Sequence, residues 1–390
     1  MVEYARDIAV DTAGHVYITG AFSGTLRFGT LSIPYSGGYD MFIAKFNGSG
    51  AGQDYGKDIT VDAAGNIYVT GQFQGPAAFS TINLTSSADD FFVARYNSAH
   101  TLRWVQKGDG KLQDAGNGIA ADARGNVYVT GFFSDVATFS STTLTSAGST
   151  DIFVAKYNTD GALQWINRAG GTDSDQGHAI TVDSNGNVYL TGAFYGQTFF
   201  DKTGLYASFG LSDTFLAKYN GNGFFQWVLK AGRPLSGNEN DIAVDTKGDV
   251  YITPGSGSIS IAKYSGDGAT QWSHQLKENG GSTFSSSGLA VDASDNVYLT
   301  GKFADKVAFG STTLTSAGSS DIFVAKYNVT GMLQWAKQAG GPGSDSGEGV
   351  AAGPEGAAYA TGQFAATAAF GASRLTSTGA QDIFVVKFVD

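Results

Sequence analysis

The sequence predicts an all-β fold, a seven-bladed β-propeller with antiparallel four-stranded blades. Three observations predict it: an internal repeat of about 60 residues, short apolar runs that alternate with period two inside each repeat, and Gly and Pro placed between those runs. The repeat is fullest over Gly288–Gly340, where GLAVDASDNVYLTG is followed by DIFVAKYN and MLQWAKQAG. The Asp that closes the first apolar run recurs at Asp11, Asp62, Asp122, Asp183, Asp245 and Asp292, with Gly353 in the last copy. Spacings of 51, 60, 61, 62, 47 and 61 residues separate the seven copies.

At 390 residues the chain exceeds the roughly 250–300 at which one hydrophobic core stops growing. A repeat architecture resolves this, because each unit shares a small core with its neighbours. The expected organisation is one propeller domain over 1–390, with repeats near 6–56, 57–116, 117–177, 178–239, 240–286, 287–347 and 348–390 plus 1–5. The 55 Gly gather at turns, and the Pro at 34, 76, 234, 254, 342 and 354 all avoid the apolar runs, as sheet ladders require.

A net charge of −11 argues against nucleic acid or an anionic membrane as partner, since both need a basic footprint. The absence of Cys excludes disulfides and thiolate metal sites. No apolar run approaches the 18 residues of a membrane-spanning helix, and the opening MVEYARDIAV lacks the apolar segment of a signal peptide. The expectation is a monomeric domain with no membrane insertion, seen here as a mature form or fragment if it is secreted.

In a full unit such as residues 119–168, the runs IAAD, NVYVTG, DIFVAKY and LQWIN read as strands a to d. Turns of the type DARGN join a to b and turns of the type NTDGA join c to d. Gly supplies the positive φ that such turns need, and short turns between alternating strands make an antiparallel meander. The last copy stops after DIFVVKFVD, so Met1–Ala5 is expected to add as the outer strand of the seventh sheet, with Tyr4 in the tryptophan column. The first unit lacks run d, and the fifth lacks the segment between b and c. In the other units that b–c segment, for example FSSTTLTSA, reads as a small hairpin or a Ser/Thr-rich rim. Trp104, Trp165, Trp227, Trp272 and Trp335 share one column of run d. They read as packing between blades, with a stacking platform for sugars as the alternative.

The pattern xGIAVDxxGNVYVTGxF…DIFVAKYNxxGxLQWxxxxGG resembles the bacterial β-propeller repeat family (SBBP-type repeats) of secreted and surface proteins, over essentially the whole chain. The resemblance implies an extracellular or cell-surface location and a binding, adhesin or scaffold role, with no shared catalytic residues.

Binding residues belong on the long b–c and d–a connections, since function concentrates on long loops held by a rigid scaffold. The residues just before run a are expected to ring the mouth of the channel: Arg6 and Asp7, Lys57 and Asp58, Asn117, His178, Asn240 and Asp241, Ser287, and Glu348. Of these, Asp7, Asp58, Asn117, His178, Asp241 and Glu348 are the candidate ligand-binding set. Asp173, Asp175 and Asp345 are the residues that would hold calcium through oxygens, although no Asp-x-Asp-x-Asp-Gly loop occurs. The Asp before run c (Asp40, Asp90, Asp151, Asp213, Asp321, Asp382) reads as turn chemistry. The basic residue of run c (Lys45, Arg95, Lys156, Lys218, Lys263, Lys326, Lys387) reads as an ion pair or a Lys reaching between blades.

His15, His100, His178 and His274 fall in different connection types and do not converge on one metal. On that ground the chain is expected to be a non-enzymatic module presenting its long-loop face to a glycan or protein. The alternatives are a propeller enzyme of glycosidase or lyase type with its site at the channel mouth, and a purely structural module of a larger secreted chain.

Overall fold

A computed structural model of the chain describes residues 2–28, 31–33, 40–43, 46–50, 53–207, 211–232, 240–254, 261–275, 277–278 and 284–389. The apolar runs are strands, and the strands form seven antiparallel blades. Met1 and Lys45 lie outside the described residues, as does the side chain of Asp40.

Two compact units make up the chain: Thr19–Pro234, and Met1–Ile18 with Leu235–Asp390. In the first, blade 2 comprises Tyr55–Val61, Ile67–Phe79, Ile82–Tyr96 and Leu102–Gly110. Blade 3 comprises Ala115–Ala121, Val127–Phe133, Asp151–Tyr157 and Leu163–Gly171. Blade 4 comprises Asp175–Val182, Val188–Phe194, Asp213–Tyr219 and Phe225–Gly232. In the second unit, blade 5 begins at Asp241–Val244 and ends at Thr270–His274. Blade 6 comprises Phe284–Val291, Val297–Phe303, Asp321–Tyr327 and Leu333–Ala339. Blade 7 has three strands, Ser346–Ala352, Ala358–Phe364 and Asp382–Phe388.

The recurring Asp builds each a–b turn. Asp122 Oδ1 accepts the amides of Arg124 and Asn126, both at 2.9 Å, and its Oδ2 accepts Asn126 Nδ2 at 2.8 Å and the Tyr128 hydroxyl at 3.1 Å. Gly125, at φ +77°, closes the turn onto the Asp122 carbonyl, a conformation that favours glycine.

Blade packs on blade through aromatic and branched side chains. Tyr68, Phe91, Val93 and Trp104 of blade 2 form one core with Ile119, Val129, Phe139 and Phe153 of blade 3, and equivalent cores join blades 3 and 4, 5 and 6, and 6 and 7. The indole N–H of Trp104 donates to the Thr159 carbonyl of the next blade at 2.9 Å, and Arg95 donates to the same carbonyl at 2.6 Å. A Cβ on Gly161 would lie 2.7 Å from the Trp104 ring, so that turn admits only glycine beneath the indole. Lys156 lies 5.1 Å over the Tyr128 ring and donates to Gly221 of the next blade.

The b–c segments are hairpins, such as Val136–Phe139 with Thr142–Thr145. Their first strands pair with the end of the preceding blade's outer strand, Gly108 with Phe139 and Ala169 with Phe200. They hydrogen-bond one blade to the next rather than standing as free flaps.

Two expectations differ from the structure. The clasp by Met1–Ala5 is not found among the described residues, where the blade 7 sheet runs no further than Asp382–Phe388. Val2–Val10 is one uninterrupted strand packed on blade 7 as the first strand of blade 1. To reach the outer edge, its first residues would have to break from the continuous run Arg6–Val10. The first unit also has a fourth strand, Phe46–Gly50, paired with Asp40–Ile43 and with the next blade at Gly48 and Phe79. Its Gly/Ser-rich sequence hides it.

Candidate functional site

The starts of the first strands carry most of the expected binding residues, and there the backbone uses several of them. Asp58 Oδ1 accepts the amide of Ile59 and its Oδ2 the amide of Ile119 in the next blade, both at 2.7 Å. Asp241 repeats the arrangement in the other unit, accepting Ile242 at 2.7 Å and Leu289 at 2.6 Å. Asn117 Nδ2 donates to the Gly177 carbonyl at 2.9 Å. These side chains tie each first strand to its neighbour. Burial, assisted by the charge of Asp7, pushes Asp241 up to about 7. Glu348 accepts the Ser346 hydroxyl at 2.6 Å, and Arg6 lies 5.7 Å over the Tyr4 ring.

His178 is different. It is 5% exposed, and neither ring nitrogen has a hydrogen-bond partner among the described residues. Burial, with Lys57 nearby, lowers it to about 4, so the ring is neutral at pH 7. Buried polar atoms without partners are rare and mark places where something else is meant to bind. The same Lys57 acts on Asp89, whose carboxylate is raised by burial and accepts Gln72 Nε2 at 3.4 Å and Gln113 Nε2 at 3.3 Å. This end of blades 2 to 4 therefore combines a neutral imidazole, a carboxyl group whose proton affinity burial raises, a cation acting on both, and two amides. Of the other histidines, His15 bonds Asp11 at 2.8 Å, His274 stacks on Tyr327 with its Nε2 also unpartnered among the described residues, and His100 takes φ +61° in a turn.

Of a second set of acids, the sequence reading singled out Asp175 and Asp345 alone. Eight residues before five of the seven closing positions stand Glu3, Asp54, Asp114, Asp175 and Asp345. Several meet the acid that opens the third strand of the preceding blade: Asp90 acts on Asp114, Asp151 on Asp175, and Asp345 on Asp321. Glu3 meets Asp382 in the same way. Burial raises Asp114 and Glu3 to about 7 and Asp90, Asp175 and Asp321 to about 6. The turn role expected for the third-strand acids is present too, since Asp151 accepts Ala147 at 3.0 Å and Asp321 accepts Ala317 at 3.1 Å. The constant spacing of eight was the available signal.

Among the described residues no three His, Asp or Glu groups converge as a metal site. Asp175 and Asp345 occupy the same buried position in two different blades, whereas Asp173 is exposed.

A family model described as beta-propeller repeat (SBBP) matches residues 48–72 and 164–193. An uncharacterized WD repeat-containing protein of Acanthamoeba polyphaga mimivirus is 28% identical over 215 residues, which are 45% of this chain and 16% of the relative. Among solved structures, a gluconolactonase of Xanthomonas campestris matches with 13% identity and a TM-score of 0.38, over 76% of this chain and 87% of its own. Regucalcin of Agrobacterium tumefaciens, a calcium-binding protein, matches with 12% identity and a TM-score of 0.39, over 78% and 81%. At such identities the likeness is one of fold. The expectation of a chain that is not an enzyme is corrected: the propellers it resembles include an enzyme. The reasoning behind that expectation also fails physically, because general acid–base catalysis needs one well-placed imidazole, not several converging ones.

Proposed function

From the premise that the chain is built of SBBP beta-propeller repeats, we propose that it is an enzyme of lyase type, acting by acid–base chemistry on an anionic, polyhydroxylated substrate at the long-connection end of blades 2 to 4. The observation that carries this is His178, buried, neutral and, among the described residues, without a partner at either ring nitrogen. A neutral imidazole takes a proton from the carbon beside a carboxylate, and the ammonium of Lys57 offsets the charge that then develops. The C–O bond at the next carbon breaks as the double bond forms, and Asp89 relays a proton from solvent to the departing oxygen. Gln72 and Gln113 hold Asp89 in place. A glycosidase pair is disfavoured here, because both oxygens of Asp58 already accept backbone amides. A secreted or cell-surface location, implied by the family resemblance, belongs to the same proposal.

The test is a panel of acidic polysaccharides, with the conjugated product followed by ultraviolet absorbance. Loss of one general base typically costs 10²–10⁴ in rate, so His178→Gln should fall by roughly that factor, while Lys57→Met, which removes a charge offset made in the transition state, should lower kcat with little change in KM. Absence of product across the panel, or full activity in His178→Gln, would overturn the reading.

A further inference from the structure

In three blades the acid that opens the third strand meets a cation seventeen residues later on the fourth strand. Lys107 lies 3.4 Å from Asp90, Arg168 lies 3.0 Å from Asp151, and Lys230 lies 2.7 Å from Asp213. Blade 6 has Gln338 at that place. Its amide is turned to backbone, donating to the Thr315 carbonyl at 3.0 Å and accepting the Thr315 amide at 3.2 Å. Asp321, 1% exposed, has an Oδ1 without a hydrogen-bond partner among the described residues, as Asp151 has in blade 3, but no cation stands beside it on the fourth strand as Arg168 stands beside Asp151. That oxygen and Asp345 Oδ2 converge on Gly340: a Cβ on this glycine would lie 2.8 Å from each. Asp345 is itself fully buried. Burying two carboxylates without a countercharge is costly, and this interface supplies none of the kind found in blades 2, 3 and 4.

We infer that a calcium ion binds between Asp321 and Asp345, supplying the positive charge that Lys107, Arg168 and Lys230 supply elsewhere. A dication balances two carboxylates, whereas a monovalent ion leaves one charge buried. Calcium suits a donor set made of oxygen alone and tolerates irregular geometry; magnesium demands a near-ideal octahedron. With only two carboxylates, affinity falls in the weak range of ~10⁻⁴–10⁻³ M typical of extracellular modules. This inference is independent of the acid–base site, which lies in the other unit.

The experiment is thermal unfolding of the full chain with calcium chloride titrated to ~10 mM, well above that affinity range, alongside direct calorimetric titration of the ion. The melting temperature should rise with calcium and saturate. Asp321→Asn should abolish the rise. Gln338→Arg restores the charge arrangement of blade 3, and it should fold, melt higher without calcium and lose the response. A wild-type melting temperature indifferent to calcium, or a response that survives in Gln338→Arg, would overturn the inference.

Discussion

The interface of blades 3 and 4 and that of blades 6 and 7 are built from almost the same words. STTLTSAGSTDIFVAKYN in one is STTLTSAGSSDIFVAKYN in the other, and both place a third-strand acid against an acid of the next first strand. Thr150 bonds Ser174 at 2.7 Å in the first, and Ser320 bonds Ser344 at 3.0 Å in the second. On the fourth strand they differ at three residues, Ile166, Asn167 and Arg168 against Ala336, Lys337 and Gln338, and they differ in what faces the tryptophan. Trp165 donates to Gly221 at 3.2 Å and rests on Gly223 of the next blade. Blade 7 has no fourth strand among the described residues, and the ring of Trp335 has Lys337 at 4.8 Å instead. Repetition thus copies the backbone and its hydrogen bonds, while single side chains set the charge and the stability of each joint.

The largest difference should come from the tryptophans. Truncating a buried Trp costs about 3–5 kcal/mol; for half-buried Trp165→Ala about 3 kcal/mol is expected, and for Trp335→Ala about half of that. Denaturant unfolding of the two variants measures both, and equal costs would show that the facing turn contributes nothing. Next comes Arg168→Gln, which gives blade 3 the charge arrangement of blade 6. Removing one partner of a buried pair costs up to 3–5 kcal/mol, but Arg168 is 35% exposed. Solvent screening therefore reduces the expected loss to about 1–2 kcal/mol. If Arg168→Gln melts like the wild type, the guanidinium is not what distinguishes the two joints.

Strand order and turn chemistry were legible in the sequence because they repeat: the Asp of DARGN and DSNGN fixes the same turn wherever it stands, and the glycine that follows fixes its hand. The role of Val2–Val10 was not legible, because an alternating run looks alike whether it forms an outer edge or a first strand. His178 was visible as a residue at the head of a strand. Its isolation was not, since that depends on the side chains that neighbouring blades bring around it. The Asp151–Asp175 and Asp321–Asp345 pairs were hidden because Asp151 and Asp321 alone read as turn residues, while Asp175 and Asp345 read as loop acids that would hold a cation. Only packing brings an acid from one repeat against an acid from the next and buries both.

The smallest expected effect is the dependence on pH, and it separates the two joints most cleanly. Asp321 titrates near 6 in the folded chain against 3.8 for an ordinary aspartate, because burial, together with the charge of Asp345, opposes ionisation. A raised carboxylate binds its proton more tightly when folded. Its contribution is therefore fully present below pH 3.8 and disappears as pH rises through 6. The shift corresponds to at most about 3 kcal/mol, less where the two acids share the effect. His178 works in the opposite sense: lowered to about 4, it favours the folded chain above its ordinary value near 6.5 and loses that contribution as pH falls toward 4. Between pH 4 and 8 the two trends partly cancel in the wild type, so the informative quantity is the difference from Asp321→Asn, which keeps His178 and removes the titrating acid. Measured without calcium, that variant should gain on the wild type as pH rises from about 4 through 6 and hold a constant lead above that. Parallel curves would mean that Asp321 is ionised throughout, and that the joint of blades 6 and 7 tolerates two buried charges that the joint of blades 3 and 4 offsets with Arg168.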